Sequence, residues 1–183
     1  MLDKLLEYDR ELLIFLNNLG IEDYDYFWQT ITQPIVWIPL YIFILILVFK
    51  TYQKEPLRKS ILLTLAVVLT TSLITSLVKA IIARTRPSGN SDLTELIRVI
   101  IEPNSYSFFS GHAANSFALT TFIVLILRNK YQWIYILYIW PVFFSFSRIY
   151  VGVHYPSDIL VGALVGTLIA LFFYQIHKKW IPK

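Results

Sequence analysis

The stretch that decides the fold runs from Phe27 to Phe49 and reads FWQTITQPIVWIPLYIFILILVF, without a charged residue in 23 positions. At a rise of about 1.5 Å per residue, a helix of this length crosses a hydrocarbon core of about 30 Å. Pro34 and Pro39 lie inside the run, where a membrane helix tolerates proline as a kink. The stretch therefore predicts a membrane-spanning helix.

Four further apolar runs follow along the chain. They cover residues 60–78, 108–127, 131–147 and 159–176, and His112 is the one imidazole or charged side chain within them. Each can span a bilayer when flanking cations snorkel to the interface. Only 15% of the 183 residues are charged and 56% are hydrophobic, against about 25% charged in soluble domains. The sequence predicts an all-α, membrane-integral helical bundle with about five transmembrane helices.

The segment before these runs has a different character. Residues 2–19 place Leu5, Leu12 and Phe15 on one side and most of the charged residues elsewhere, which is typical of an amphipathic interfacial helix. The segment lacks the features of a cleaved signal peptide. We therefore expect one domain over residues 1–183, with an interfacial helix at 1–20 and a transmembrane bundle at 27–177.

The distribution of charge predicts the orientation of the bundle. The loops on the side of the C-terminus carry nine basic residues and one acidic residue, whereas the other side carries seven basic and eleven acidic residues. Because cytoplasmic loops are enriched in Lys and Arg, the C-terminus should be cytoplasmic and the opposite side should face outward. In a bacterium this would be the periplasmic side of the inner membrane.

Three polar groups interrupt the apolar pattern, and all of them fall at the outward ends of the predicted helices. Their members are Lys79 and Arg86, then Ser110, Gly111 and His112, then Arg148, His154 and Asp158. A single cation at a helix end most simply snorkels, and Ser-Gly is a common helix start. Ionisable residues at membrane depth are costly, however, and their convergence at one level favours a functional site.

Each group has a chemical use at such a site. Lys79 and Arg86 are seven positions apart, which places them on one face if the helix continues to Arg86, and the helix beginning near Ser110 would direct free N–H groups at an anion. Asp158, four residues after His154, can fix the imidazole tautomer so that the other nitrogen acts as nucleophile or base. Alternatively, Asp158 only caps its helix.

Small residues recur every four positions after Asp158, at Gly162, Gly166 and Ala170. Such a ridge permits close helix packing, which would turn Asp158 into the bundle. The same GxxxG pattern could serve a homo-oligomer through Gly162 and Gly166. With no cysteine in the chain, thiol nucleophiles and metal–thiolate sites are excluded. Cations, two histidines and one carboxylate together indicate a phosphate site that has both a nucleophile and an acid.

These residues resemble a known family, the membrane-integral type 2 phosphatidic acid phosphatases of the PAP2 superfamily. The resemblance covers Lys79-x6-Arg86-Pro87, then Phe109-Ser110-Gly111-His112, then Ser147-Arg148-x5-His154-x3-Asp158. Phe109 departs from the pattern, since the family usually has proline there. The resemblance implies His154 as nucleophile, Asp158 as its orienting partner and His112 as general acid. It also implies phosphate binding by Lys79, Arg86, Ser110, Gly111 and Arg148, without a metal or other cofactor.

The resemblance implies a lipid phosphatase, most similar to bacterial undecaprenyl pyrophosphate phosphatases. Phosphatidylglycerophosphate, phosphatidic acid and lipid A are alternative substrates, because the motif residues recognise only the phosphate group. The expected partners are a membrane lipid and the bilayer, and no nucleic acid. One alternative is a non-enzymatic membrane protein that only holds an anion, although this role needs no pair of histidines. Another is a soluble haloperoxidase of the same superfamily, which the five apolar runs disfavour.

Overall fold

The computed structural model describes residues 2–181, and within this range every regular element is helical. The α-helices have the following bounds: α1 Leu2–Asn18, α2 Asp25–Ile31, α3 Ile38–Thr51, α4 Lys54–Ile82, α5 Ser91–Thr94, α6 Gly111–Leu127, α7 Ile139–Tyr150 and α8 Pro156–Trp180. Short 3-10 helices lie at Glu22–Tyr24, Pro34–Trp37, Pro87–Gly89 and Gln132–Tyr138. The predicted all-α membrane bundle is confirmed.

Two of the five predicted spans are not single α-helices. The run from Phe27 to Phe49 is divided into α2, a 3-10 turn beginning at Pro34, and α3, whose second residue is Pro39. Each proline lacks the N–H that a continuous helix would use, so each lies at a helix start. The run at 131–147 likewise begins as a 3-10 helix, and Pro141 falls in the first turn of α7.

Length and hydropathy identify three segments able to cross a membrane within the described residues. They are Pro34–Thr51, the segment Lys54–Thr94 that contains α4, and Pro156–Trp180; α6 is apolar but shorter, at 17 residues. Helix α4 exposes one leucine stripe and buries the opposite face. The stripe is formed by Leu62, Leu65, Leu69, Leu73 and Leu77. An exposed apolar stripe of this length on a membrane helix is a surface for lipid tails.

Helix α6 lies at the centre of the bundle, where it packs against α4, α7 and α8. Eleven of its 17 residues are buried. Helix α8 approaches α6 most closely, because α8 presents Gly162 and Gly166 at the contact and glycine has no side chain to separate the two backbones. A Cβ at Gly162 would lie 2.7 Å from the carbonyl oxygen of Ser110, and one at Gly166 would lie 2.1 Å from that of Ala114.

The small-residue ridge therefore has a partner inside the chain. Asp158, Gly162, Gly166 and Ala170 are all buried, as expected for a ridge that faces the bundle. The sequence left open a homo-oligomer through Gly162 and Gly166. The structure places both glycines against α6, so an oligomer built on them would first have to separate α6 from α8.

Helix α1 confirms the predicted amphipathic helix but presents an unexpected face to the bundle. Leu5, Leu12 and Phe15 are exposed, whereas Asp9, Leu13 and Asn17 are buried, at a spacing of four residues. Asn17 donates to the carbonyl oxygens of Arg98, Ile149 and Tyr150 and accepts from the Arg98 amide. The helix is thus docked through polar contacts and through Leu13, which packs in an apolar cluster with Leu93 and Ile149, while Leu5, Leu12 and Phe15 stay free for the membrane interface.

We expect Gly166→Ala to destabilise the protein, because the added methyl would overlap the Ala114 carbonyl group and force α6 away from α8. Overpacking of this kind costs about 1–3 kcal/mol. The measurement is the thermal midpoint of purified protein in detergent. Gly89→Ala is the matched control, since a Cβ at Gly89 has its nearest neighbour at 3.7 Å. Equal midpoints for the two variants would contradict the tight α6–α8 contact.

Candidate active site

Four helix ends meet at one face of the bundle: the end of α4, the start of α6, the end of α7 and the start of α8. Helix α4 ends at Ala83, whose left-handed conformation (φ 49°) turns the chain into the segment that carries Arg84 and Arg86. All three polar groups singled out in the sequence lie at this face. His177, in contrast, bonds Ser60 at the opposite end of the bundle.

The pair of His154 and Asp158 forms the centre of this face. The Nδ1 atom of His154 lies 3.2 Å from Asp158 Oδ2, and the two side chains are 2% and 0% exposed. The same carboxylate oxygen accepts the Tyr155 amide at 3.0 Å and the Ser107 hydroxyl. Asp158 therefore fulfils both roles that the sequence left open, since it caps α8 and also contacts the histidine.

The neighbours of His154 determine its tautomer. Its Nε2 atom lies 3.1 Å from Nη1 of Arg86, and a guanidinium has donors only, so Nε2 must be the acceptor. The proton then belongs on Nδ1, facing Asp158. Burial lowers the pKa of His154 to about 3, although the hydrogen bond that Nδ1 donates to Asp158 opposes this effect. The imidazole is therefore neutral near pH 7, with Nε2 unprotonated and facing Arg86.

Arg86 and Lys79 are held by the loop that precedes α6. Arg86 donates to Ser105 through Nε and Nη2 at 2.6 and 2.9 Å and to the Val153 carbonyl at 2.9 Å, while Lys79 donates to the carbonyls of Tyr106 and Ser107. Because carbonyls carry no formal charge, both cations keep their attraction for an anion. A polar cavity of about 800 Å³ opens beside them.

Thr32 connects the other two predicted site residues on this side. Its hydroxyl lies 2.6 Å from Nη1 of Arg148 and 2.8 Å from the Ser147 hydroxyl, and its carbonyl lies 3.2 Å from Nε2 of His112. Since a carbonyl only accepts, Nε2 of His112 carries a proton. Sequence reasoning missed Thr32, because its partners lie 80 to 116 positions away in the chain.

His112 lies where the polar face meets an apolar cavity of about 490 Å³. The cavity is formed by α3, α4, α6 and α7, and the His112 ring packs on Phe144 at 4.8 Å between centroids. Trp140 also lines it, and its indole N–H is buried without a hydrogen-bond partner. His112 can therefore act on a group that is partly in the polar site and partly in the apolar cavity.

Ser110 and Gly111 have a more local role than the sequence suggested. The Ser110 hydroxyl accepts the Ala113 amide at 3.4 Å as the N-cap of α6, and the Ser110 amide donates to the Asp158 carbonyl at 3.0 Å. The amides of Gly111 and His112, in the first turn of α6, have no acceptor within the helix and remain donors for an anion. Phe109, 2% exposed, precedes this turn and is joined to Phe108 by a cis peptide bond.

Arg84, Asp9 and Ser107 also belong to this face, although sequence reasoning gave them no role. Arg84 bonds Asp158 and Asp9, and Ser107 contacts both His154 and Asp158. Nothing in their local sequence distinguished them, because their partners lie 47 to 75 positions away.

The fold and the site together define a membrane-integral phosphatase, and the comparisons with known proteins agree. The PAP2 superfamily profile matches residues 60–182. The lipid A 4'-phosphatase of Bacteroides thetaiotaomicron is 30% identical over 98% of this chain and 81% of its own length. An undecaprenyl-diphosphatase of Sulfolobus acidocaldarius is 33% identical over 91% of this chain and 70% of its own length.

A solved structure shows the same fold. The transmembrane PAP2 type phosphatidylglycerolphosphate phosphatase from Bacillus subtilis superposes with a TM-score of 0.79 at 22% identity, covering 98% of this chain and 89% of that one. This chain belongs to the PAP2 superfamily, and it is a lipid phosphatase. The family resemblance drawn from the three motifs is confirmed.

We expect Thr32→Val to lower kcat/KM, because the isosteric change removes the hydroxyl that orients Arg148 and leaves the backbone carbonyl to His112. A loss of about tenfold or more is typical when a group that orients a functional side chain is removed. Thr30→Val is the control, since the Thr30 hydroxyl bonds the Tyr26 carbonyl of its own helix. Equal kcat/KM values for the two variants in steady-state kinetics would contradict a role for the Thr32 hydroxyl in the site.

The lowered pKa of His154 predicts a loss of stability in acid. An imidazole that titrates near 6.5 in the unfolded chain and at about 3 in the folded protein binds its proton preferentially when unfolded. Its contribution is complete above about pH 6.5 and is lost as the pH falls toward 3. The thermal midpoint of the wild type should therefore fall more steeply over this range than that of His154→Gln. Parallel curves would show that His154 is not buried as a neutral group.

Proposed function

We propose that the protein hydrolyses a lipid phosphate through a covalent phosphohistidine at His154. The observation that carries the proposal is the hydrogen bonding of this side chain, with Nδ1 directed at Asp158 and Nε2 left as acceptor beside Arg86. A neutral imidazole whose free nitrogen faces cations is arranged to attack an anionic phosphorus centre.

In the first step, Nε2 of His154 forms a bond to phosphorus as the bond to the lipid oxygen breaks. His112, in its doubly protonated form, donates a proton to the departing oxygen and becomes a neutral imidazole, so the lipid leaves as an alcohol, or as a monophosphate when the substrate is a diphosphate. His112 reaches this oxygen through Nδ1, because Nε2 is held by the Thr32 carbonyl. Asp158 stabilises the positive charge that develops on the His154 ring.

In the second step, water attacks the phosphohistidine and the N–P bond breaks, which restores the imidazole and releases inorganic phosphate. His112, now a neutral imidazole that keeps its proton on Nε2, accepts a proton from this water at Nδ1 and returns to its doubly protonated form. Throughout both steps Lys79, Arg86 and Arg148, with the first amides of α6, neutralise the phosphoryl oxygens, since phosphoryl transfer depends mainly on positioning and charge stabilisation.

The reaction is proposed to need no metal ion. In residues 2–181, no group of three or more His, Asp and Glu side chains is placed to hold one. The positive charge that a metal would supply is instead provided by the three cations and the start of α6.

The apolar cavity at His112 is proposed to take the lipid chain next to the phosphate. It shares Tyr41, Val68 and Leu119 with a second apolar cavity of about 250 Å³ that continues between α3, α4 and α6. Together they form a groove that leads from His112 along the helices. A substrate arriving from the bilayer can then present its phosphate to His154 while its tail stays among apolar side chains.

The site is proposed to face the outside of the cytoplasmic membrane. The loops at the opposite end carry nine basic residues and one acidic residue, which favours a cytoplasmic location for that end and for the C-terminus. On this orientation the enzyme acts on lipids of the outer leaflet.

The first candidate substrate is the phosphate monoester of a lipid A-type glycolipid. It is supported by the similarity to the Bacteroides lipid A 4'-phosphatase, which aligns with 98% of this chain. Undecaprenyl diphosphate is the second candidate. It is supported by the archaeal diphosphatase and by the narrow groove, which suits one isoprenoid chain better than the several acyl chains of lipid A.

The test is phosphate release by purified protein in detergent from lipid A, undecaprenyl diphosphate, phosphatidylglycerophosphate and phosphatidic acid. We expect release from at least one lipid, a radiolabelled phosphoprotein with acid-labile label, and loss of both with His154→Ala, because no other nucleophile replaces the imidazole. His177→Ala is the matched control at the opposite end of the bundle. Excess EDTA should have little effect.

The ratio of kcat/KM values between lipid A and undecaprenyl diphosphate decides between the two candidates. Full turnover by folded His154→Ala would disprove the phosphohistidine, and inhibition by EDTA that added metal reverses would disprove the metal-free mechanism. A failure to release phosphate from any of the four lipids would exclude them as substrates.

A further inference from the structure

The Arg84 guanidinium lies between two carboxylates, that of Asp158 at the start of α8 and that of Asp9 in α1. Its Nη1 atom donates to Asp158 Oδ1 at 2.7 Å, and its Nη2 atom donates to Asp9 Oδ2 at 2.8 Å. The two oxygens of Asp158 are thus divided, with Oδ2 facing His154 and Oδ1 facing Arg84. Arg84 is the sole ion-pair partner of Asp158 besides His154 among the described residues.

Asp9 brings the amphipathic helix α1 into this arrangement. Its carboxylate is only 8% exposed, it accepts the Ser157 amide at 2.8 Å through Oδ1, and it also accepts the Ser157 hydroxyl. Asp9 is one of the three residues through which α1 is buried, whereas the leucine face of α1 is exposed. A carboxylate so deeply buried on an interfacial helix is not explained by membrane anchoring.

The guanidinium of Arg84 has further contacts besides the two carboxylates. It lies over the Tyr155 ring at 3.8 Å from the centroid and also donates to the Ser157 hydroxyl at 2.9 Å. The Arg84 carbonyl accepts the Ser107 amide at 2.8 Å, and the Ser107 hydroxyl in turn contacts Asp158. Stacking, ion pairing and backbone bonding together fix one position for this cation.

We propose that Arg84 and Asp9 are positioning residues for the phosphatase reaction, which hold the Asp158 carboxylate toward His154 and set its charge, so that helix α1 completes the active site. Asp9 balances the charge of Arg84, which leaves Asp158 a full acceptor for the imidazole. The inference rests on the proposed function, in which His154 is the nucleophile.

Removal of Asp9 and removal of Arg84 change the electrostatic potential at His154 in opposite directions. Without Asp9, the site gains one net positive charge, which disfavours protonation of His154. Without Arg84, it loses one, and Asp9 and Asp158 repel each other, which favours protonation. Removal of both restores the net charge but not the orientation of Asp158.

His154 is surrounded by charged and titratable groups from several elements, and these are the same in every variant. They are Asp158 of α8, Arg86 from the segment after α4, Arg148 of α7, His112 of α6 and Lys79 of α4. Any difference in pH dependence between the variants and the wild type is therefore assignable to the Asp9–Arg84 pair.

The experiment compares wild type with Asp9→Asn, Arg84→Gln, Arg84→Lys and the double variant Asp9→Asn/Arg84→Gln, over a pH series with the preferred lipid. We expect kcat to fall about tenfold or more in Asp9→Asn and Arg84→Gln with KM unchanged, because the pair acts on the nucleophile and not on the lipid. The acid midpoint of kcat/KM should rise by about one pH unit in Arg84→Gln. It should not rise in Asp9→Asn, and it should return toward the wild-type value in the double variant.

Asp25→Asn is the matched control. Asp25 forms a similar ion pair with Arg98 at 2.6 Å, also close to the start of the chain, but the pair contacts neither His154 nor Asp158. We expect it to change thermal stability without a shift in the pH profile. Arg84→Lys keeps the charge and should move the acid midpoint less than Arg84→Gln, so the comparison holds even if one neutral variant is unstable.

Two results would overturn the inference. One is a set of pH profiles for folded Asp9→Asn and Arg84→Gln that coincide with that of Asp25→Asn. The other is a loss expressed only in KM. The proposed function fails separately, when His154→Ala keeps its activity and forms the same phosphoprotein as the wild type. If His154→Ala is inactive while the Asp9 and Arg84 variants keep the activity and pH profile of the wild type, the proposed function stands and only the positioning role is disproved.

Discussion

The carboxylate of Asp158, buried at the start of α8, is the group on which the rest of the structure depends. It caps α8 through the Tyr155 amide, receives the hydroxyl of Ser107, and faces both His154 and Arg84. A buried carboxylate is stable only when its oxygens are satisfied, so these neighbours must be fixed where they are. The same bonds that allow the charge to be buried also give His154 its orientation.

Close packing of α6 and α8 brings the other half of the site to this carboxylate. Glycines at 162 and 166 allow the two backbones to approach, which places the Ser110 amide on the Asp158 carbonyl and the first turn of α6 beside His154. The polar face is thereby continuous with the apolar cavity at His112. A lipid phosphatase needs this junction, because its substrate has one part in each environment.

Much of the fold and of the candidate site was predictable, because the signals were local. Long uncharged runs predicted the helical membrane bundle, and the spacing of Lys79, Arg86, His112, His154 and Asp158 predicted one polar face. The divided spans were not predicted, since proline within an apolar run is compatible with either a kink or a helix start. Thr32, Ser107, Arg84 and Asp9 were missed because each is defined by a partner far away in the chain.

By itself, then, the sequence determined the class of fold, the family and the principal residues of the polar face, because hydropathy and motif spacing are properties of neighbouring residues. Only the tertiary structure decided that Asp9 of the amphipathic helix faces Arg84, that Thr32 joins His112 to Arg148, and that the glycine ridge packs on α6. These contacts arise where separate helices meet. No periodicity within one helix specifies which buried groups must satisfy one another across that boundary.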